Sequence, residues 1–323
     1  MATSFRSTRG DRTTTLAEAL SAGLAPDGGL YVPVEMPRIA VDAFAGTSGV
    51  ADVARVLLRP FFAGDRLAPH LDAICDEALD LPVPLTPLDE RTWLMELFHG
   101  PSAAFKDFGA RFLASCLSRL QEGEDRPLTI LVATSGDTGG AVAAAFHGKP
   151  GVRVVVLYPH GRVSERQAHQ LACWSGNVRT LAVEGDFDAC QALVKAAFVD
   201  PACRELARLS SANSINIGRL LPQMAYHAHA ALQHPGATFV VPTGNLGNAV
   251  AAVWARRVGL PLADVVLATN ANDTLPRFEA TGVLEPRPTV ATLANAMDVS
   301  VPSNLERLTW DGRLVFDGVT AAS

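Results

Sequence analysis

LTILVATSGDTGGAVAAAFHGKPGVRVVVLYP, residues 128–159, holds two apolar runs separated by a glycine-marked turn and a small-residue segment. LTILVA (128–133) and VRVVVLYP (152–159) read as buried strands by their β-branched runs. Residues 138–148 between them read as a helix. Working outward, the alternation repeats. Residues 164–174 read as a helix and VRTLAVEG (178–185) as a strand. The helix after it places Phe187, Cys190, Leu193, Val194 and Ala197 on one face. Further on come TFVVP (238–242), a helix near 247–257 and DVVLATN (264–270). Strands alternating with helices predict parallel sheets covered on both sides. Two such blocks predict an α/β protein with two open parallel-sheet lobes, with a small-molecule site at the carboxyl ends of strands between them.

The segment before these blocks is different. Residues 14–22 read as a helix, APDGGLYVP (25–33) as turns and a short strand, and the proline-rich LPVPLTPL (81–88) as a linker. The expected division is an N-terminal α+β segment (1–85), a first α/β lobe (86–222) and part of a second (223–323).

Apolar residues make up 48% of the 323 residues and charged residues 19%, the balance of a globular enzyme. A net charge of −6 argues against nucleic acid as a partner. The five cysteines are odd in number and form no CxxC pair, so neither a disulfide framework nor a zinc site is expected. A reducing cytoplasm fits that usage best. No apolar run approaches the ~18–20 residues of a membrane span, and no membrane partner is expected. The N-terminal MATSFRSTRGDRTTT is rich in Ser, Thr and Arg, as transit peptides are. It carries Asp11, lacks an apolar face and runs straight into a helix, so it reads as part of the fold.

Three loops carry chemistry. In HGPSAAFKDFG (99–109), Lys106 sits between Phe105 and Asp107 just before a helical pattern. An amine in an apolar setting near a helix N-terminus loses affinity for its proton and gains nucleophilicity toward an aldehyde. ATSGDTGG (133–140) joins a strand to a helix. Its hydroxyls, glycines and free N–H groups suit an anion. They equally suit a tight turn capped by Ser135 or Asp137. PTGNLGN (242–248) also joins a strand to a helix, and its glycines let backbone approach a phosphate. It is neither the dinucleotide GxGxxG nor a Walker loop. Together the loops offer an amine for an aldehyde, a cradle for a cofactor phosphate and a place for a substrate anion. Pyridoxal 5'-phosphate has that aldehyde and that phosphate.

HGPSAAFKDFG resembles the cofactor-lysine motif of the threonine synthase family, with Ser102 where that family usually has Thr. ATSGDTG, SANSINIGRL (211–220), PTGNLGN and NAMDVSVPSN (295–304) resemble further family blocks in the family's order. STRG (7–10), GLAPDGGLYVP (23–33) and EGDFDACQALVK (184–195) do so too. The resemblance implies a type II pyridoxal-phosphate fold. It implies conversion of O-phospho-L-homoserine and water to L-threonine and phosphate, with no metal. Lys106 is similar to the Schiff-base lysine and to the base for the Cα proton. Gly244, Asn245, Leu246, Gly247 and Asn248 resemble the cofactor-phosphate cradle, and Asp137 resembles a further cofactor residue. Thr134, Ser135 and Thr138 resemble the substrate-facing loop. Asn213, Ser214 and Arg219 resemble the set that holds the substrate phosphate. Arg219 suits that role by chemistry, since guanidinium binds phosphate bidentately. Its other reading is a surface salt bridge, and for Asn213 and Asn216 the other reading is helix capping. His99 and Asp298 read as structural residues.

Two competing functions share these motifs. Another type II lyase, such as a serine/threonine dehydratase, would use Lys106 and the cradle without Arg219. A catalytically dead relative would only bind. The resemblance also implies a later block bearing a Ser or Thr for the pyridine nitrogen. LERLTWDGRLVFDGVTAAS (305–323) contains nothing similar. A chain carrying that block is expected to be the more soluble and more active form. Monomer and homodimer are not distinguished by the sequence.

Overall fold

A computed structural model of the chain describes residues 3–134, 136–308 and 319–322. The N-terminal segment forms β1 (Phe5–Ser7), β2 (Thr13–Thr14), α1 (Leu16–Ala22), β3 (Tyr31–Pro33), α2 (Val50–Phe62) and α3 (Leu71–Leu79). β1 lies between β2 and β3 in an antiparallel sheet. A capping box starts α1. The Thr15 hydroxyl accepts the Glu18 N–H at 3.2 Å, and the Glu18 carboxylate accepts the Thr15 N–H at 3.0 Å.

The proline-rich stretch is not a plain linker. Leu85–Pro87 is a strand, β4, paired antiparallel with β5 (Trp93–Met95). In a two-stranded ribbon each strand has a free edge, so Pro84 and Pro87 cost no ladder bond there. The Thr86 hydroxyl ties the ribbon to Glu96 at 2.7 Å.

The first lobe then follows: α4 (Lys106–Leu120), β6 (Leu128–Ala133), α5 (Asp137–Phe146), β7 (Val152–Pro159), α6 (Glu165–Ala172), β8 (Val178–Val183), α7 (Phe187–Val199), α8 (Pro201–Leu206) and β9 (Arg208–Ser211). All pairings in the sheet are parallel, in the order β8-β7-β6-β9. On α7, Cys190 and Val194 pack on Leu131, Ala133 and Leu157, with Phe187 and Ala197 against them. Leu193 does not join them and is 50% exposed. It falls one step off the line through Phe187, Cys190, Val194 and Ala197, and the sheet meets only that line.

The remaining elements are α9 (Ile217–Leu220), α10 (Gln223–Gln233), β10 (Phe239–Pro242), α11 (Gly247–Arg257), β11 (Val265–Ala268), α12 (Thr274–Thr281) and β12 (Val319–Ala322). β10, β11 and β12 form the second parallel sheet. Ala-rich α11 is buried nearly throughout and joins α4, α10 and the N-terminal helices in one core. The loops after β6 and β10 both open at strand carboxyl ends, where this architecture places ligands. Among the described residues no helix is long and apolar enough to cross a membrane.

Candidate active site

The chain has three lysines, at 106, 149 and 195. Lys195 is exposed, and the Lys149 ammonium pairs with Glu77 at 3.4 Å. Lys106 alone is drawn inward, its side chain 12% exposed. It opens α4, with Nζ donating to Asp137 Oδ2 at 3.2 Å and lying 4.8 Å from the Phe105 ring centroid. Burial pushes the amine below its ordinary pKa, Asp137 opposes that, and the Arg219 charge adds to the lowering. A larger neutral fraction makes a better nucleophile. Because Asp137 raises the amine's pKa, Asp137→Asn should lower it further. The pH midpoint for capturing pyridoxal phosphate, followed by absorbance, should then move down. A midpoint that moved up would contradict this electrostatic picture.

The preceding loop is folded around Asp107. Ser102 N–H donates to Asp107 Oδ2 at 2.9 Å, and Ala103 takes a left-handed φ of 54°. Gly100 is required there, because a Cβ would overlap the Asp107 carboxylate. Burial raises the Asp107 pKa, against the pull of the Ser102 N–H.

In the loop after β6, the Thr134 hydroxyl accepts the N–H groups of Gly136 at 3.0 Å and Gly139 at 2.9 Å. It also donates to Gly136 O at 3.1 Å. The Thr134 hydroxyl thus closes its own turn. Ser135 lies outside the described residues. Thr138 is half-buried on the first turn of α5. The second Asp137 oxygen accepts from Gln167 Nε2 at 3.1 Å. Gln167 is itself fixed by a capping box with Ser164 at the start of α6. Sequence reasoning passed over Gln167, although Ser164-x-x-Gln167 is a readable capping signal.

The loop after β10 enters α11 through Leu246, held left-handed at φ 65°. Gly244 is pressed against the 295–297 turn, and a Cβ there would come 2.8 Å from Met297 Cα and O. Asn245 reaches in two directions. Its Nδ2 donates to Ser214 Oγ at 2.6 Å, and its Oδ1 accepts the Ser303 N–H at 2.5 Å. Gly247 and Asn248 start the helix and aim its first-turn N–H groups out of the loop. The Asn248 side chain looks the other way. Its Oδ1 accepts from Tyr226 Oη at 2.6 Å and meets His227 Nε2 at 2.8 Å. Burial lowers His227 to about 4, so the ring is neutral near pH 7 and Nε2–H donates.

Arg219 is no surface ion pair; it is 2% exposed. Its Nη1 donates to Ala212 O at 2.5 Å, Nη2 faces Lys106 O at 3.5 Å, and Nε has no partner. Burial lowers its pKa to about 10, which leaves it charged near neutrality. Asn213 is half-buried, and its Oδ1 also has no partner. Asn216 is a cap: its side chain accepts the Gly218 N–H at 2.9 Å at the start of α9. His99 pairs with Glu96 at 2.7 Å. Asp298 accepts from Asn270, Asn272 and Thr292 as a loop bracket.

Gly109 lets α4 approach Arg219. A Cβ there would lie 2.6 Å from Arg219 O and 2.9 Å from its Nε. Gly→Ala inside a helix gains up to about 1 kcal/mol by propensity, whereas overpacking costs roughly 1–3 kcal/mol. The neighbour here is backbone, so the clash wins. Gly109→Ala should lower the thermal midpoint; a rise would show that α4 and α9 are free to separate.

One chain of contacts thus links all the loops: Asp137 to Lys106, Lys106 to Arg219, and Ser214 to Asn245. A buried amine of lowered pKa, a glycine-flanked helix N-terminus and an unpartnered buried guanidinium nitrogen fit pyridoxal phosphate together with a second anion. Comparison with known proteins decides the family. Residues 79–319 match the Pyridoxal-phosphate dependent enzyme family, and residues 4–79 match Threonine synthase N terminus. Threonine synthase from Haemophilus influenzae is 44% identical over 299 residues, covering 91% of this chain and 70% of that protein. This chain belongs to the threonine synthase family. Its fold is that of the type II pyridoxal-phosphate enzymes, and its cofactor is pyridoxal 5'-phosphate. The crystal structure of threonine synthase from Escherichia coli superposes with a TM-score of 0.88 at 40% identity, covering 99% of this chain and 77% of that one. The pyridoxal-phosphate-bound threonine synthase from Brucella melitensis gives 0.89 at 38%, covering 96% and 70%.

Proposed function

We propose that this chain converts O-phospho-L-homoserine and water to L-threonine and phosphate. The observation that carries the reading is the direct join between the buried Arg219–Ser214 loop and the cofactor cradle at Asn245. An enzyme without a phosphorylated substrate has no need to attach a second anion loop there. In this reading residues 1–85, 86–222 and 223–323 are the N-terminal segment and the two lobes. The five cysteines, all free, suit a reducing cytoplasm.

Gly244, Leu246, Gly247 and the N–H of Asn248 hold the cofactor phosphate through backbone. When bound, the cofactor supplies an electron sink next to the substrate Cα. Lys106 removes the Cα proton, and burial, by holding its pKa below the ordinary lysine value, enlarges the neutral fraction that can do so. Asp137 orients that amine while Gln167 orients Asp137. A second proton leaves Cβ, and the Cγ–O bond breaks. Arg219, Ser214 and Asn213 hold the phosphate and stabilise its growing charge as it departs. A proton added at Cγ makes the methyl group, the oxygen of water ends on Cβ, and a proton returned to Cα by the Lys106 ammonium completes threonine.

The test supplies phosphohomoserine to the pyridoxal-phosphate-loaded protein and measures both products. Threonine and phosphate should appear in equal amounts. If the protein instead consumed threonine or serine to release ammonia and left phosphohomoserine untouched, it would be a dehydratase.

A further inference from the structure

Asn304 and Arg307 are fully buried in the turn Ser303–Arg307, and neither has a place in the reaction above. The Asn304 amide bridges both binding loops. Its Nδ2 donates to Asn245 O in the cradle at 2.9 Å and faces Ser214 O in the anion loop at 3.4 Å. Its Oδ1 accepts from Arg307 Nη1 at 2.5 Å. Arg307 spends its other nitrogens on backbone carbonyls. Nη2 donates to Ile215 O in the anion loop at 2.7 Å, and Nε donates to Tyr31 O on β3 at 3.1 Å. Among the described residues no carboxylate pairs with Arg307. Neighbouring Glu306 turns instead to Thr8 at 2.8 Å and to Arg9.

A buried guanidinium with only neutral acceptors carries a desolvation cost that simple packing would avoid. It persists where its fork fixes several segments at once. Here it fixes three: the N-terminal sheet, the anion loop and, through Asn304, the cradle. The two loops belong to different strands and share no backbone ladder. Besides the packing of α9 and α10 on α11 and the Tyr226 and His227 contacts to Asn248, the Asn245–Ser214 bond and this pair are the contacts that join the two loops directly.

We propose that Asn304 and Arg307 are positioning residues that couple the cofactor cradle to the anion loop, so that ordering one orders the other. By linkage the coupling works in both directions. The proposal rests on the proposed function only in naming the anion the second loop receives.

The test uses hydrogen exchange with pyridoxal phosphate as the probe. In the native protein, saturating pyridoxal phosphate should slow exchange in 242–248 and also, about tenfold, in 211–220. In Asn304→Ala, cofactor at saturation should still protect 242–248 but no longer 211–220. KM for phosphohomoserine should rise about tenfold, the loss of one or two hydrogen bonds of about 1 kcal/mol each. Protection of 211–220 that survives in N304A, or a KM within twofold of native, would overturn the coupling. Arg307→Lys keeps the charge but loses the fork and should give the same pattern. If both variants fail to fold, the two residues are core supports and the proposal is wrong. A native protein that binds cofactor but makes no threonine defeats the proposed function instead, while exchange in 211–220 still decides the coupling.

Discussion

Lys106→Ala should keep its fold and lose threonine formation by about 10⁴-fold or more. General base catalysis alone contributes roughly 10²–10⁴-fold, and this variant also loses the amine that captures the cofactor aldehyde. The fold should survive because Lys106 stands at the first position of α4 and its ammonium makes one ion pair, with Asp137. Removing an amine whose charged form is penalised by burial also removes part of that cost. Turnover and a thermal melt on the same preparation separate the two effects. A variant retaining more than a hundredth of native turnover would show that Lys106 is not the base.

Arg219→Ala should lower kcat/KM for phosphohomoserine by ~30–1,000-fold, with a much smaller change in cofactor affinity. A charge-assisted bidentate contact to phosphate contributes on the order of 2–4 kcal/mol, which converts to that range. Arg219→Lys should fall between, keeping charge without the planar fork. Since burial lowers the Arg219 pKa to about 10, its charge is lost as pH rises through that value. The KM for the phosphorylated substrate should climb there. If Arg219→Ala released cofactor and left turnover intact once cofactor was resupplied, Arg219 would serve the cofactor's phosphate instead.

Much of this was legible in the sequence for local reasons. The β-branched runs at 128–133 and 152–159 and the glycine-marked loops after 133 and 242 declare themselves within a few residues. Lys106 was legible because its apolar neighbours and the helix after it are adjacent in the chain. Three features were not. Leu193 sat in a helical pattern that a period of 3.6 cannot distinguish from its true neighbour line, since the contacting sheet sets which line is buried. Residues 85–87 read as linker because proline signals outweigh a three-residue strand until its partner, 93–95, is in place. The Thr134 hydroxyl bonds to Gly136 and Gly139, turn contacts that no residue pattern in the loop declares.

Other residues are hidden by sequence distance. Gln167 meets Asp137 across 30 positions, and Arg307 meets Tyr31 across 276. Nothing within a local window announces such contacts. The block NAMDVSVPSN was recognisable, but which of its residues touch the site depends on how the 295–307 turns lie against the cradle.

The account stands or falls on which amine holds the cofactor, and three lysines make that a closed choice. The purified protein, loaded with pyridoxal phosphate, should be yellow. Borohydride reduction followed by peptide mapping should place the fixed label on the peptide containing Lys106 alone. A label on Lys149 or Lys195 in its place would contradict the site described here and every role assigned around it.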